Sequence, residues 1–314
     1  MKILVAPLNW GLGHASRCIP LVARFLREGN EVIIAGDGDS LTLLKQHFPK
    51  LRTIELPKLN LHYSAGTSQT AAILRQLPRL LHWAIRDHLA LRRLLSLESF
   101  DRVISDNRFG FYSSHTHCIY LTHQLHICLP FPWNWLEPVL EIGHRQLMKK
   151  YSEVWIPDNE GMPDLAGLLS HPKNRPANAH YIGHLSRFSI PPDSVEPDST
   201  YNAVLLLSGL EPQRSILEQN IINRYQNMEE TLLVVQGKVN APFCKFTKGN
   251  ITIIPYLNDA QLLPCLMGTQ KVIARSGYSS IMDFAALGIL PKCELIPTPG
   301  QPEQEYLAAY NNTL

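Results

Sequence analysis

Short apolar runs recur along the chain, and between them the apolar residues fall at helical spacing. In the first half the runs are Ile3 to Ala6, Glu31 to Ala35, Leu51 to Leu56, Arg102 to Ser105, Cys118 to Leu121, Val154 to Pro157 and Ala179 to Ile182. Continuous apolar runs of this length predict strands buried on both faces, and their alternation with helical patterns predicts βαβ units in a parallel sheet. A segment rich in proline and acid follows, with Pro191, Pro192, Pro197, Asp193, Glu196 and Asp198, and reads as an extended hinge. The pattern then restarts at Ala203 to Leu207, Leu232 to Gln236, Ile251 to Ile254, Lys271 to Ala274 and Cys293 to Pro297.

The expected fold class is therefore α/β, with two tandem Rossmann-like, doubly wound domains: residues 1–188, a linker over 189–200, and residues 201–314. In such sheets ligands lie outside the carboxyl ends of the strands. After a helix running from Pro302 to about Asn311, Thr313 and Leu314 close the sequence. On this reading the second domain is short at its C-terminus, and its sheet is expected to show an unpaired apolar edge.

Composition narrows the class further. The 314 residues are 45% hydrophobic and 18% charged, with a formal net charge of +2, which gives no whole-molecule attraction to nucleic acid. Cysteines 18, 118, 128, 244, 265 and 293 form no C-x-x-C pair, so reduced, buried thiols are expected rather than a disulfide framework or a zinc site. Met1-Lys2 leads at once into the first strand, which reads as no signal peptide, and no apolar run is long enough to span a membrane. A cytoplasmic location is expected.

The densest motif is Arg275-Ser276-Gly277-Tyr278-Ser279-Ser280-Ile281-Met282-Asp283. It places a glycine-centred turn between a buried strand and a helix, where free backbone N–H groups and the helix dipole favour anionic and hydroxyl-rich ligands. Asp283, inside that helix, is a carboxylate suited to a ribose diol. Downstream, Gln301, Gln304 and Glu305 offer amide and carboxylate groups for a sugar. Together these residues resemble the donor half of glycosyltransferase family 28, which includes the N-acetylglucosaminyltransferase of peptidoglycan lipid II synthesis. The resemblance implies a GT-B fold in which the Arg/Ser-Gly turn and Asp283 bind the nucleotide, and Gln304-Glu305 stand where that family has a Gln-Gln or similar pair on the sugar. The carboxylate in place of the second amide departs from the family.

Gly11-Leu12-Gly13-His14-Ala15-Ser16-Arg17 follows the first strand and lacks the third glycine of a dinucleotide fingerprint. Alone it reads as a turn, with Ser16 or His14 capping a helix from about Arg17 to Arg27. The resemblance implies that Gly11 and Gly13 face an acceptor and that His14 is a general base. Asp106, at the end of a predicted strand, is placed to orient His14, and His123 and Gln124 fall at a neighbouring strand end on the acceptor side. Gly183-His184-Leu185-Ser186-Arg187 resembles the family's Gly-Asn-Pro-x-Arg and implies Arg187 on the diphosphate; a solvated surface arginine is the other reading. Ser208 and Gly209 lie in a small-residue loop suited to phosphate. Asp37-Gly38-Asp39 spells D-x-D, but Asp-Gly is an ordinary turn former, and no metal is expected. The spacing of His115, His117, His123 and His126 fits no zinc pattern.

Residues 70–97 combine apolar Leu74, Leu77, Leu80, Leu81, Trp83, Ile85 and Leu89 with five arginines. They read either as helices packed on the core, broken near Pro78, or as a peripheral contact with an anionic membrane, a reading that Phe131-Pro132-Trp133-Asn134-Trp135 supports. The combined expectation is an inverting, metal-independent transferase that needs no cofactor and moves a sugar from a nucleotide-diphosphate donor, a UDP-sugar, to an acceptor hydroxyl on a glycan, lipid or small molecule. A nucleotide-sugar hydrolase of the same fold and a non-catalytic nucleotide-sugar binding protein or truncated remnant are the alternatives.

Overall fold

The computed structural model describes residues 1–59, 76–188 and 195–312. The first sheet has strands β1 (Lys2–Pro7), β2 (Glu31–Gly36), β3 (Thr53–Glu55), β4 (Arg102–Asp106), β5 (His117–Leu121), β6 (Glu153–Ile156) and β7 (Ala179–Tyr181). Their spatial order is β3-β2-β1-β4-β5-β6-β7, and every neighbouring pair is parallel. Strand order reverses at β1, which opens a crevice beside the β1 and β4 carboxyl ends.

Helix α1 (Leu12–Arg27) buries Ala15, Cys18, Ile19, Val22 and Phe25 at helical spacing. With α2 (Gly38–His47) it covers the sheet face that carries Ile3 and Val5. The opposite face, with Leu4 and Ala6, packs against Leu91 of α3 (Leu77–Leu97) and Met148 of α4 (Glu137–Met148). Successive β1 residues thus enter different layers, as a pleated strand requires. Pro78 opens α3 instead of breaking it, because its missing N–H falls in the first turn where no intrahelical partner exists. Residues 70–75, including Leu74 and Arg75, lie outside the described residues, as do residues 189–194 of the expected linker and Thr313 and Leu314.

The second sheet comprises β8 (Ala203–Leu206), β9 (Leu232–Val235), β10 (Phe246–Lys248), β11 (Ile251–Ile254), β12 (Lys271–Arg275) and β13 (Cys293–Ile296), in the order β10-β11-β9-β8-β12-β13. Only β10 is antiparallel among these pairs. Its three residues are exposed, so no apolar run marks it in the sequence. Helices α5 (Gln213–Tyr225), α6 (Asp259–Gly268), α7 (Tyr278–Ala286) and α8 (Pro302–Asn311) flank this sheet. Asn258 and Gln261 close a reciprocal capping box at the start of α6. β13 ends the sheet, with no further strand beyond it among the described residues. It is not wholly apolar: its Glu294 accepts from Arg224 Nη1 and Nη2 of α5, each at 2.8 Å, and pairs with Lys271 of β12 at 2.6 Å. Among the cysteines, Cys18, Cys118 and Cys265 are buried, but Cys244 is exposed, contrary to expectation.

One buried cluster contains Ile119 and Leu169 of the first domain together with Tyr278 and Leu307 of the second, so the two domains share packing. The loop after β6 supplies much of that contact, and Asp158 organises it. Its Oδ1 accepts from the backbone of Asn159 and Leu165 and from His184 Nε2, while Oδ2 accepts from the Ala166 backbone and the Ser170 hydroxyl. Burial opposes ionisation of Asp158, but these donors outweigh it and hold its pKa at about 2. The unfolded value is near 3.9, so the stabilisation is complete above that value and is lost as pH falls from about 4 through about 2. The difference amounts to between about 2 and 3 kcal/mol. Asp158→Asn should therefore lower stability at pH 7 by about 3 kcal/mol and flatten the acid limb of the unfolding curve. Urea denaturation at several pH values checks this; an unchanged midpoint would remove Asp158 as the organiser of the loop.

Candidate active site

The crevice at the β1 and β4 carboxyl ends is where the sequence motifs converge. Pro7 ends β1 and the glycine loop turns into α1, which begins at Leu12, earlier than the pattern suggested. His14 and Ser16 are therefore inside the first turns rather than caps; the Ser16 hydroxyl donates back to the Leu12 carbonyl at 2.8 Å. Gly11 occupies the N-cap at φ 84° and ψ 173°, a region essentially reserved for glycine. No side chain caps α1 at Gly11 or α7 at Gly277, so both helices present open N–H groups.

The two domains approach closely here. A Cβ on Gly11 would lie 3.3 Å from Gly209 Cα, and one on Gly13 would lie 3.1 Å from Ser279 Oγ. Gly11, Leu12, Ser208, Gly209, Arg214 and Gly237 line an interdomain pocket of about 210 Å³. A larger cavity of about 480 Å³ adjoins it through Leu59 and is lined, among the described residues, by Lys58, Arg79, His82 and Arg86 around Trp83.

Beside this pocket runs a chain of polar contacts. Asp106, at the end of β4, is fully buried. Its Oδ1 stands 2.9 Å from His14 Nδ1, and Arg17 Nε donates to Oδ2 at 2.8 Å while Arg17 Nη2 donates to Oδ1. Burial disfavours the ionised form, but Arg17 and His14 together hold the Asp106 carboxyl well below the usual range. Arg17 Nη1 lies 3.3 Å from His123 Nδ1, and His123 Nε2 lies 2.9 Å from Glu303 Oε1 on α8. Since a guanidinium only donates, His123 accepts at Nδ1 and donates from Nε2. Burial pushes the His123 pKa down, so the ring stays neutral. It stacks on Tyr278 with centroids 4.2 Å apart. Gln124 is half-buried next to it.

Several expected donor contacts are engaged elsewhere. Arg275 gives its guanidinium to the carbonyls of Pro297 at 2.7 Å and Gln213 at 2.8 Å, bracing two loops. Arg187 is turned to carboxylates: its Nε donates to Asp283 at 3.1 Å, and its Nη1 lies 3.1 Å from Asp259. Asp283 also accepts from the Ser186 hydroxyl at 2.8 Å, so its oxygens form an interdomain clasp. Burial raises the Asp283 pKa despite Arg187. Ser276 donates to the Gln304 carbonyl at 2.7 Å, and Gln304 Oε1 accepts from Thr298 N at 2.8 Å. Gln301 caps α8, with a buried Oε1 that has no partner among the described residues. Glu305 accepts from Gly300 N and faces solvent.

The acid that reaches the crevice is Glu303, two positions before Glu305 and one position before Gln304, which the sequence reading did not assign. Burial opposes its ionisation, but the hydrogen bond from His123 keeps its pKa below the ordinary value. The helical period was the available signal: α8 starts at Pro302, so 303 and 307 share a face, and Leu307 is fully buried. Arg214 was likewise passed over; it lines the pocket and donates to Glu211 from Nη2 at 2.7 Å.

Among the described residues, the acids of both candidate metal clusters are engaged by protein groups. Asp37 accepts from Arg108 at 3.2 Å and from Asn9 at 3.2 Å, and Asp39 accepts from Asn240. Asp158, Asp164 and His171 bring ligand atoms within 4.8 Å of one another, but backbone amides, Ser170, Tyr310 and the Asn159 carbonyl engage them.

No family model and no curated protein matches the chain. Solved structures do. The spinosyn rhamnosyltransferase SpnG, complexed with thymidine diphosphate, matches at a TM-score of 0.59 and 13% identity, over 100% of this chain and 84% of that one. The glycotransferase of kitacinnamycin matches at 0.54 and 12%, over 100% and 90%. MurG of Acinetobacter baumannii matches at 0.52 and 11%, over 99% and 83%. At these identities the likeness is one of fold, the GT-B arrangement of two Rossmann-like domains facing across a crevice.

The close approach at Gly11 yields a direct check. Gly11→Ala would put a Cβ against Gly209 in a glycine-only conformation and should cost about 2 kcal/mol or more. Gly29→Ala, at φ 76° with open space around it, should cost only about 1 kcal/mol. Equal losses in thermal unfolding would show that the approach of the two loops is not tight.

Proposed function

We propose that the protein is an inverting glycosyltransferase that takes its sugar from a nucleoside diphosphate donor and transfers it to an acceptor hydroxyl, with His14 as general base. The observation that carries the reading is the His14–Asp106 contact at 2.9 Å, set beside a pocket that both domains line. With Nδ1–H directed to the buried carboxylate, Nε2 keeps the lone pair that a base requires. In the reaction Nε2 takes the acceptor O–H proton as that oxygen bonds to the anomeric carbon. The bond from that carbon to the diphosphate breaks, and its electron pair leaves with the diphosphate.

The leaving group gains charge in a pocket lined by Gly11 and Leu12 at the open N-terminus of α1, and the start of α7 lies close by, with Ser279 against Gly13. Dipoles already aimed at that point stabilise the charge without reorganisation. Ser208, Gly209 and Gly277 fit the phosphate groups, and Arg214 is the cation that lines the pocket, where its partner Glu211 is exposed, whereas Arg187 and Arg275 are held by groups outside the pocket. In this reading Asp283 reaches the ribose once the Arg187 clasp shifts, and Glu303 with Gln304 meets the sugar. At about 210 Å³ the pocket holds only part of such a donor, because pockets for ligands of that size run from roughly 300 to 1,000 Å³. Donor entry therefore requires the domains to part.

The adjoining cationic cavity suits an acceptor that carries negative charge. Along α3 the exposed residues Leu77, Leu81, Ile85 and Leu89 form an apolar row at four-residue spacing, flanked by exposed Arg79, Arg86, Arg92 and Arg93. Phe131 and Trp135 are also exposed, at 89% and 68%. No helix among the described residues is long and apolar enough to cross a membrane. In our reading this face rests on an anionic lipid surface, each arginine adding about 1 kcal/mol of attraction.

His14→Ala should lower transfer by roughly a hundred- to ten-thousand-fold and leave donor affinity intact, while Arg214→Ala should weaken donor binding. Turnover and calorimetry on the two variants separate these effects, and a His14→Ala enzyme of full activity would end the base assignment. For the lipid surface, co-sedimentation with phosphatidylglycerol vesicles should exceed that with phosphatidylcholine vesicles and should fall in Leu81→Glu/Ile85→Glu. Equal sedimentation with both lipids would contradict the docking face.

A further inference from the structure

We infer that Arg17 is a positioning residue for the proposed base: it fixes Asp106, sets its own permanent charge against the pull of that carboxylate on His14, and links the base to the donor-side helix α8 through His123. The inference rests on the reading of His14 as general base. It starts from a feature that a simple His–Asp pair lacks. Arg17 is almost fully buried, and its guanidinium grips both oxygens of Asp106. The same Nη2 stands 3.0 Å from His14 Nδ1.

Two arrangements compete at that nitrogen. As an N–H it donates to Asp106, and Nε2 is free to take a proton. As a lone pair it accepts from Arg17, and Nε2 then carries the hydrogen and is useless as a base. The first is the productive tautomer, and the ionised Asp106 favours it. Once His14 accepts the acceptor's proton, however, its imidazolium faces a carboxylate and a guanidinium at nearly equal distance. The repulsion from Arg17 cancels much of the attraction from Asp106. Arg17 thus weakens the hold of Asp106 on the proton that His14 takes up.

Every element around the ring enters this balance. Asp106 faces it from the end of β4, Arg17 from its own helix, His123 from beyond β5 and Glu303 from α8. His123 is neutral, held by burial and by the donor-only guanidinium. The fixed charges near His14 are thus two carboxylates and one cation. Without Arg17 the imidazole is the remaining group that can hold buried Asp106 ionised, so the pair favours the imidazolium, and an opposite charge within about 4–6 Å typically moves a pKa by one to three units. The cation also bridges the domains, since Arg17 Nη1 holds His123 and His123 holds Glu303. Movement of α8 on donor entry is transmitted to the base by this route.

NMR titration of the imidazole signals, with His14 identified by its loss in His14→Gln, reads the effect without any acceptor. In Arg17→Met the His14 midpoint should rise by at least about one pH unit. In Arg17→Lys, which keeps the charge but not the fork, the midpoint should stay close to that of the wild type while transfer slows. An unmoved midpoint in Arg17→Met would overturn the inference, as would a rise in Arg17→Lys equal to that in Arg17→Met. If Arg17→Met does not fold, the lysine variant alone decides: a midpoint raised by a unit or more shows that the charge at this position does not offset Asp106 and overturns the inference. A fully active His14→Ala enzyme would instead sink the base reading itself.

Discussion

A carboxylate with no access to water must be held ionised by its neighbours, and Asp106 imposes that requirement on the centre of this protein. Isolated burial of such a charge costs several kcal/mol, so removal of a single partner is not tolerated lightly. Arg17 supplies the compensating cation from the first helix and His14 supplies a further hydrogen bond. Because Arg17 is itself buried, its Nη1 also needs a partner, and His123 accepts from it. That histidine then needs an acceptor for Nε2, which Glu303 provides from the other domain. One buried charge thus accounts for the polar sequence that crosses the interface.

The interface obeys a second constraint, close backbone approach. Gly11 and Gly13 lie against Gly209 and Ser279, so two helix N-termini and a phosphate-sized loop meet in a small volume. Side chains larger than hydrogen would hold the loops apart. At the periphery Asp283 with Arg187, Tyr306 with the Leu168 backbone and Gln46 with the Val239 carbonyl clasp the domains together. The Asp283–Arg187 pair is largely buried, whereas the Tyr306 and Gln46 contacts are partly exposed hydrogen bonds, which can open and reform more easily than packed apolar contacts. A crevice that must admit a donor is well served by such fastenings.

The sheets were legible in the sequence because strands buried on both faces read as uninterrupted apolar runs, as in Val272 to Ala274 or Leu232 to Val235. The strand β10 was not, since Phe246, Thr247 and Lys248 are exposed and gain their order from β11 alone. The glycine loop and the 275–283 turn were legible by spacing, but the partners of individual side chains were not. Whether Arg187 meets a phosphate or Asp283, and whether Arg275 meets a ligand or two carbonyls, depends on residues distant in the chain. Glu303 was hidden for a different reason: in a run with acids at 303 and 305, a rotation of one helix by half a turn decides which one faces the crevice.

A transferase of this design needs the crevice between the domains to be a site for a nucleoside diphosphate. Thermal unfolding against a panel of nucleoside diphosphates and their sugars tests this most directly. A cognate ligand at a hundred times its dissociation constant should add about 2.7 kcal/mol of stability, and Arg214→Ala should abolish most of that gain. A protein that no member of the panel stabilises, or whose stabilisation is unaffected by Arg214→Ala and Gly11→Ala alike, would contradict it.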